Sequence, residues 1–278
     1  HMWFGDLVTM NWFNDVWMKE VFANFMADKI MNPASPNIDH QLAFMITHYP
    51  NAYGEDRTLG TNPIRQKLDN LNNAGSLYGS IIYNKAPIMM RQLETVLGKE
   101  AFKEGIQEYI ETFAFKNAEW GELIEILDKK SSTDIIAWSS IWVNNSSRPI
   151  FNDEITYDDK DKITSFTLTQ AAEDSSEHVW SQAFDILFIY PDSSKTLSVQ
   201  MTDATYQIKE AIGLPKPISI VYNSNAEGYG VFPLQEKDLD LIPTLDNQVA
   251  RGYSYINVYE NMLNGTINPS AAIQLFSK

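Results

Sequence analysis

The hydrophobic period of this chain changes near Arg148-Pro149, and that change limits its possible folds more than any other feature. Before it, apolar residues recur at three- and four-residue steps, the period of a helix with one buried face. Lys85–Leu97 carries Ile88, Met89, Leu93 and Val96, and Gly98 stands where a helix commonly stops. Ala101–Phe113 carries Phe102, Ile106, Ile110 and Phe113, and Glu119–Leu127 carries Leu123, Ile124 and Leu127. The spacing of Ile64, Leu68 and Leu71 predicts a helix from Pro63 to about Leu71, whereas the stretch after the Glu20 segment, from Lys29 to Phe44, reads as polar. SSTDIIAWSSIWV opens with a cap at Asp134 or a neighbouring Ser or Thr. Beyond Pro149 the step falls to two. KITSFTLTQ sets Thr164, Phe166 and Leu168 against Ile163, Ser165, Thr167 and Thr169, and FDILFIY, TLSVQMT, ATYQIKE and ISIVYN follow between turn residues. After Asp238 the pattern turns helical again. The expected organisation is a mainly α part over 1–150, a small β-sandwich over 151–238 and the start of a helical region over 239–278.

Composition narrows the function classes. A formal charge of -15, from 36 acids against 21 Lys and Arg, leaves no basic patch for phosphate contacts, so nucleic acid is not an expected partner. The chain has no Cys, which excludes disulfides and thiolate metal sites. No run of eighteen apolar residues exists, so no membrane-spanning helix is expected.

One acid interrupts an apolar face. Trp12, Phe13, Val16 and Trp17 form a helical stripe, and Glu20 lies three beyond Trp17 and four beyond Val16. A carboxylate there is costly unless it is paired or binds a metal. The alternative is a Glu at the stripe's edge that reaches water or pairs with a Lys. Eighteen residues separate Glu20 from His1. A recurring zinc arrangement takes two His from H-E-x-x-H on one helix and a Glu from the next. His1 is the only residue here that could belong to such a motif, as its last His. His-Met is also a common leftover of cloning, so His1 is either native or an artefact. His40 and His48 are a further possible metal pair, with seven residues between them.

HMWFGDLVTMNWFNDVWMKEVFANF resembles the core of the aminopeptidase N family of zinc peptidases. On that resemblance His1 falls on the second zinc His and Glu20 on the zinc Glu, while Lys19 and Val21 stand where the family has Asn and Gly. GSLYGSIIYNKAPIMMRQLE is similar to the stretch holding the family's catalytic Tyr, which makes Tyr83 a donor to the oxyanion formed on the attacked carbonyl. In that stretch Ala86 replaces the usual Gly. Taken without the His1–Glu20 block, Tyr83 reads first as a core Tyr with a bonded hydroxyl among Ile81, Ile82, Ile88 and Met89, and the two blocks in family order favour the catalytic reading. Asn62-Pro63-Ile64 resembles the family's His-Pro-Ile, and Arg148 stands near a usual Gly at the junction with the β domain.

The resemblance implies the helical half of a thermolysin-like catalytic domain, Zn2+ as cofactor and a peptide as substrate, with one amino-terminal residue removed. It also implies that the general base and first zinc His precede His1. An upstream domain would then pack against residues 1–150. The stretch alone is expected to be inactive and to hold zinc weakly, since zinc sites use three or four protein ligands. The alternative is a non-catalytic family member that acts as a scaffold or binding module.

Overall fold

The computed structural model describes residues 1–11, 14–68, 72 and 79–277. Trp12 and Phe13 of the apolar stripe, Leu71, and most of the Gly75–Gly79 part of the Tyr83 block lie outside the described residues. The chain divides into two compact units, His1–Ser147 and Arg148–Lys278, of mixed helix and sheet.

In the first unit β1 (Val8–Met10) pairs in parallel with β2 (Lys116–Ala118). Helix α1 (Trp17–Ala34) buries Trp17, Met18, Val21, Phe22 and Phe25, so its first half faces protein on most sides. It continues through Lys29–Ala34, and α2 (His40–Asp56) begins soon after, capped by the Asp39 carboxylate on the Leu42 N–H at 2.9 Å. The stretch Lys29–Phe44, which reads as polar, thus holds the end of α1 and the start of α2. Phe44, Met45, Tyr49, Ala52 and Tyr53 form the buried stripe of α2, and that stripe becomes clear only downstream of the polar letters. A π-helical turn (Ile81–Lys85) leads into α3 (Ala86–Leu97), which Gly98 ends at φ 82°. Next come α4 (Lys99–Phe113), α5 (Trp120–Asp128) and α6 (Ile135–Asn144). Glu119 and Glu122 form a reciprocal capping box on α5, and Asp134 caps α6 by accepting from the Ala137 N–H at 2.8 Å.

The helix expected from Pro63 does not form, because Pro63–Leu68 is irregular. Ile64 and Leu68 are buried nonetheless. The Arg65 N–H donates to the Val143 carbonyl at 2.9 Å, and its guanidinium reaches Asp15 at 2.7 Å. Long-range partners take the groups that a helix would have used.

The second unit holds two three-stranded antiparallel sheets. One orders β3 (Pro149–Tyr157), β4 (Ile163–Ala172) and β7 (Thr205–Gln207). In the other, β5 (Gln182–Ile189) lies between β6 (Ser194–Met201) and β8 (Ser219–Tyr222). The β3–β4 register slips between Thr156 and Tyr157, so Ile163 is buried along with Phe166 and Leu168 despite its odd position in the alternation. Phe151 meets Phe184 edge-on at 5.6 Å and Phe166 meets Phe188 at 6.0 Å, which joins the two inner faces. A 3₁₀ segment (Glu236–Thr244) precedes α7 (Gln248–Leu263) and α8 (Pro269–Phe276). Leu239, Ile242, Val258, Ile267, Ala272 and Leu275 pack together there. The Asn257 and Asn261 side-chain amides both donate to the Phe232 carbonyl, at 3.1 and 3.0 Å, which binds α7 to the chain that follows β8.

Candidate metal and catalytic site

The first eight residues form an ordered turn. The N–H groups of Asp6, Leu7 and Val8 donate to the carbonyls of His1, Met2 and Trp3. Phe4 stacks on Phe22 of α1, with centroids 4.1 Å apart and planes 4° from parallel. Gly5 adopts φ 130°, and a Cβ there would lie 3.0 Å from the His1 carbonyl oxygen. That position in the Trp-Phe-Gly stretch requires Gly for both backbone and space.

The turn delivers His1 to α1. His1 Nε2 lies 3.8 Å from Glu20 Oε2, with 51% of the His side chain and 20% of the Glu side chain exposed. Glu20 therefore sits at the edge of the buried stripe and opens to solvent. Zinc binds imidazole nitrogen at about 2.0–2.1 Å and carboxylate oxygen at about 2.0–2.2 Å, so ligand atoms at this separation can share one ion. The donor set fits the metal but is incomplete. Among the described residues no cluster of three or more His, Cys, Asp or Glu is placed to hold one. Lys19 Nζ is 3.9 Å from Glu20 Oε1, so the carboxylate also has a cation beside it.

Tyr83 lies midway along the π turn, where its neighbours Ile81, Ile82, Ile88 and Met89 are buried but Tyr83 itself is 37% exposed. The core-Tyr alternative is corrected by this exposure. The turn packs against α1 and α2. Single π turns within helices recur at functional sites. Beside it, His48 Nδ1 is 3.2 Å from Asn84 Oδ1, and burial pushes the imidazole below its ordinary range. His40 Nε2 is instead 3.0 Å from the Ser35 carbonyl, so the structure engages the two histidines with different partners.

Among the described residues of the first unit, sequence reasoning missed two buried ionic clusters. Asp15 is fully buried, and Arg65 Nε and the Trp120 N–H approach it at 2.7 and 3.1 Å. Burial pushes its carboxyl up, against the pull of those two donors. Lys85 Nζ lies 2.7 Å from Asp56 Oδ2, and both side chains are fully buried. Lys85 could have been noticed as a lone cation in the apolar run Ile81–Met90, but Asp15 and Asp56 carry no comparable sequence signal.

Residues 1–146 match the family model described as the peptidase family M1 domain. The chain belongs to this family. It is the aminopeptidase N family of zinc metallopeptidases. Aminopeptidase N of Streptomyces lividans is 34% identical over 177 residues, 62% of this chain and 20% of that protein. Alanine/arginine aminopeptidase of Saccharomyces cerevisiae is 28% identical over 216 residues, 75% of this chain and 24% of that protein. Puromycin-sensitive aminopeptidase of Caenorhabditis elegans is 29% identical over 177 residues, 64% of this chain and 19% of that protein. The chain thus spans about a fifth to a quarter of the length of these curated relatives. His1, Glu20, Tyr83, Asp56 and Lys85 all fall within the M1 match, and the second unit lies beyond it.

Proposed function

We propose that the chain is part of a zinc-dependent aminopeptidase that removes single amino-terminal residues from peptides. In this reading residues 1–150 are the helical half of a thermolysin-like catalytic domain, 151–238 a β-sandwich domain and 239–278 the beginning of a helical domain. The observation that carries the reading is the approach of His1 to Glu20 at 3.8 Å, with the imidazole and carboxylate both reaching solvent. His1, taken as native, and Glu20 would hold the zinc together with a ligand from outside this sequence. Bound zinc supplies polarisation of the scissile carbonyl and a water of lowered pKa. The Tyr83 phenol donates a hydrogen bond to the carbonyl oxygen as negative charge grows there. The exposure of Tyr83 supports this role, since a buried phenol could not reach a substrate.

The test uses a full-length protein containing this sequence. Tyr83→Phe should keep zinc and KM but lower kcat on an aminoacyl anilide by roughly 10²–10³-fold. Normal turnover in that variant would remove Tyr83 from the reaction. A second reading, a non-catalytic family member, draws support from the Lys19 ammonium 3.9 Å from the Glu20 carboxylate, where a cation competes with a metal. A full-length protein without stoichiometric zinc after dialysis would favour that second reading.

A further inference from the structure

We propose that the buried Lys85–Asp56 pair is a positioning device for Tyr83. It pins the inner side of the Ile81–Lys85 turn and thereby holds the phenol outward. The inference rests on Tyr83 being the oxyanion donor. Lys85 closes the π turn and is 0% exposed. Its ammonium donates to Asp56 Oδ2 at 2.7 Å and to the Ser147 carbonyl at 2.8 Å. The other Asp56 oxygen accepts from Thr61 Oγ1 at 2.7 Å and from the Ser147 N–H at 3.1 Å. The end of α2, the chain beyond it, the end of the first unit and the π turn therefore meet at one carboxylate.

Two features connect this cluster to Tyr83. Residues two apart on a helix lie on nearly opposite faces, roughly 200° round at 3.6 residues per turn, and a wider turn keeps that relation. Drawing Lys85 inward thus turns Tyr83 outward, in line with its exposure between buried neighbours. The turn is also wider than an α-helix, since the Ala86 N–H donates to the Ile81 carbonyl. Such single turns are rare and recur at functional sites. Stability alone gives little reason for a buried ion pair here, because well-packed apolar residues usually serve as well or better. A fixed geometry for the residue two positions earlier supplies one.

The test is a cycle in the full-length protein, with zinc content and melting temperature measured beside kinetics on an aminoacyl anilide. The double variant Lys85→Met/Asp56→Leu removes both charges at similar volume. It is expected to fold and to keep zinc and KM, while kcat falls roughly 10–10²-fold, the scale of an ångström-sized misplacement. Adding Tyr83→Phe to it should then cost far less than the same change in the wild type, because the phenol is already out of place. If the double variant does not fold, Asp56→Glu keeps the charge but lengthens the arm, and it should show the same loss of kcat at unchanged KM. Undiminished kcat in a folded pair variant, or a full Tyr83→Phe penalty within it, overturns the positioning role and leaves the oxyanion role intact. A Tyr83→Phe variant with normal kcat in the wild-type background overturns both.

Discussion

Replacing Arg148 by Met should be among the most destabilising single changes in the second unit. The guanidinium is 0% exposed and holds two carboxylates. Its Nε and Nη2 donate to the two oxygens of Glu173 at 2.7 and 3.0 Å, and its Nη1 donates to Glu260 Oε2 at 2.7 Å. Together Glu173, just past β4, and Glu260, in α7, tie the first residue of the unit to both the end of its sheet and its last long helix. Burial alone would disfavour the charge on Arg148, but the two carboxylates outweigh it and hold the group more firmly protonated than usual. The Met side chain fills much of the same space and removes the cation. Glu173 keeps some solvent and the Asn264 amide at 3.3 Å, whereas Glu260 is 1% exposed and loses its charge partner. Removing one side of a buried pair costs about 3–5 kcal/mol. For a unit of this size, that is a melting shift of roughly 11–18 °C. Hydrogen exchange of the β3 and β4 amides reads this unit separately from the helical one. Arg148→Met/Glu260→Leu should recover at least half of the loss, because it no longer buries an uncompensated carboxylate. A single variant that protects these amides to within about 1 kcal/mol of wild type, inside the ordinary range for point mutations, would refute the assignment of Arg148 as the electrostatic centre of this unit.

Gly230→Ala should cost more than about 2 kcal/mol, from a disfavoured backbone together with overpacking. Gly230 sits at φ 142°, and the new Cβ would lie 2.5 Å from the Pro149 carbonyl oxygen, a contact that urea unfolding would expose as a lowered midpoint. His48 should make stability depend on pH. Its folded pKa is lowered by burial, and Asn84 and Asp28 only partly oppose this, so the unfolded chain takes up the proton first. Its contribution is present above the ordinary value of 6.5 and is lost as pH falls from there toward the folded value. Melting curves for His48→Gln between pH 7 and about 5 should lose that part of the slope, and an unchanged slope would place its origin elsewhere. Glu20→Gln in the full-length protein should reduce zinc retained through dialysis, because an amide is a much poorer ligand than a carboxylate. In the isolated 278-residue chain it should change the melting temperature little, since the contacts to His1 and Lys19 are long and partly solvated.

Local pattern determined much of this protein. The change of period at Arg148-Pro149 marked where helix gives way to sheet, and Gly98, Asp134 and the Glu119–Glu122 box end or begin helices with bonds that span only a few residues. Such signals are legible because the interacting groups are neighbours in sequence. The spacing of His1 and Glu20 was likewise readable, as was the family block around Tyr83. Tertiary structure alone decided the rest. Pro63–Leu68 has helical spacing but gives its backbone and its arginine to Val143 and Asp15. Ile163 is buried through a one-residue slip that strict alternation could not foresee. The partners of Lys85 and Arg148 lie 25 to 112 positions away along the chain, at Asp56, Ser147, Glu173 and Glu260. A charged side chain reads as surface in sequence because burial is costly without a partner. Only the folded chain brings that partner into place, and so only the fold could show that these two cations lie inside.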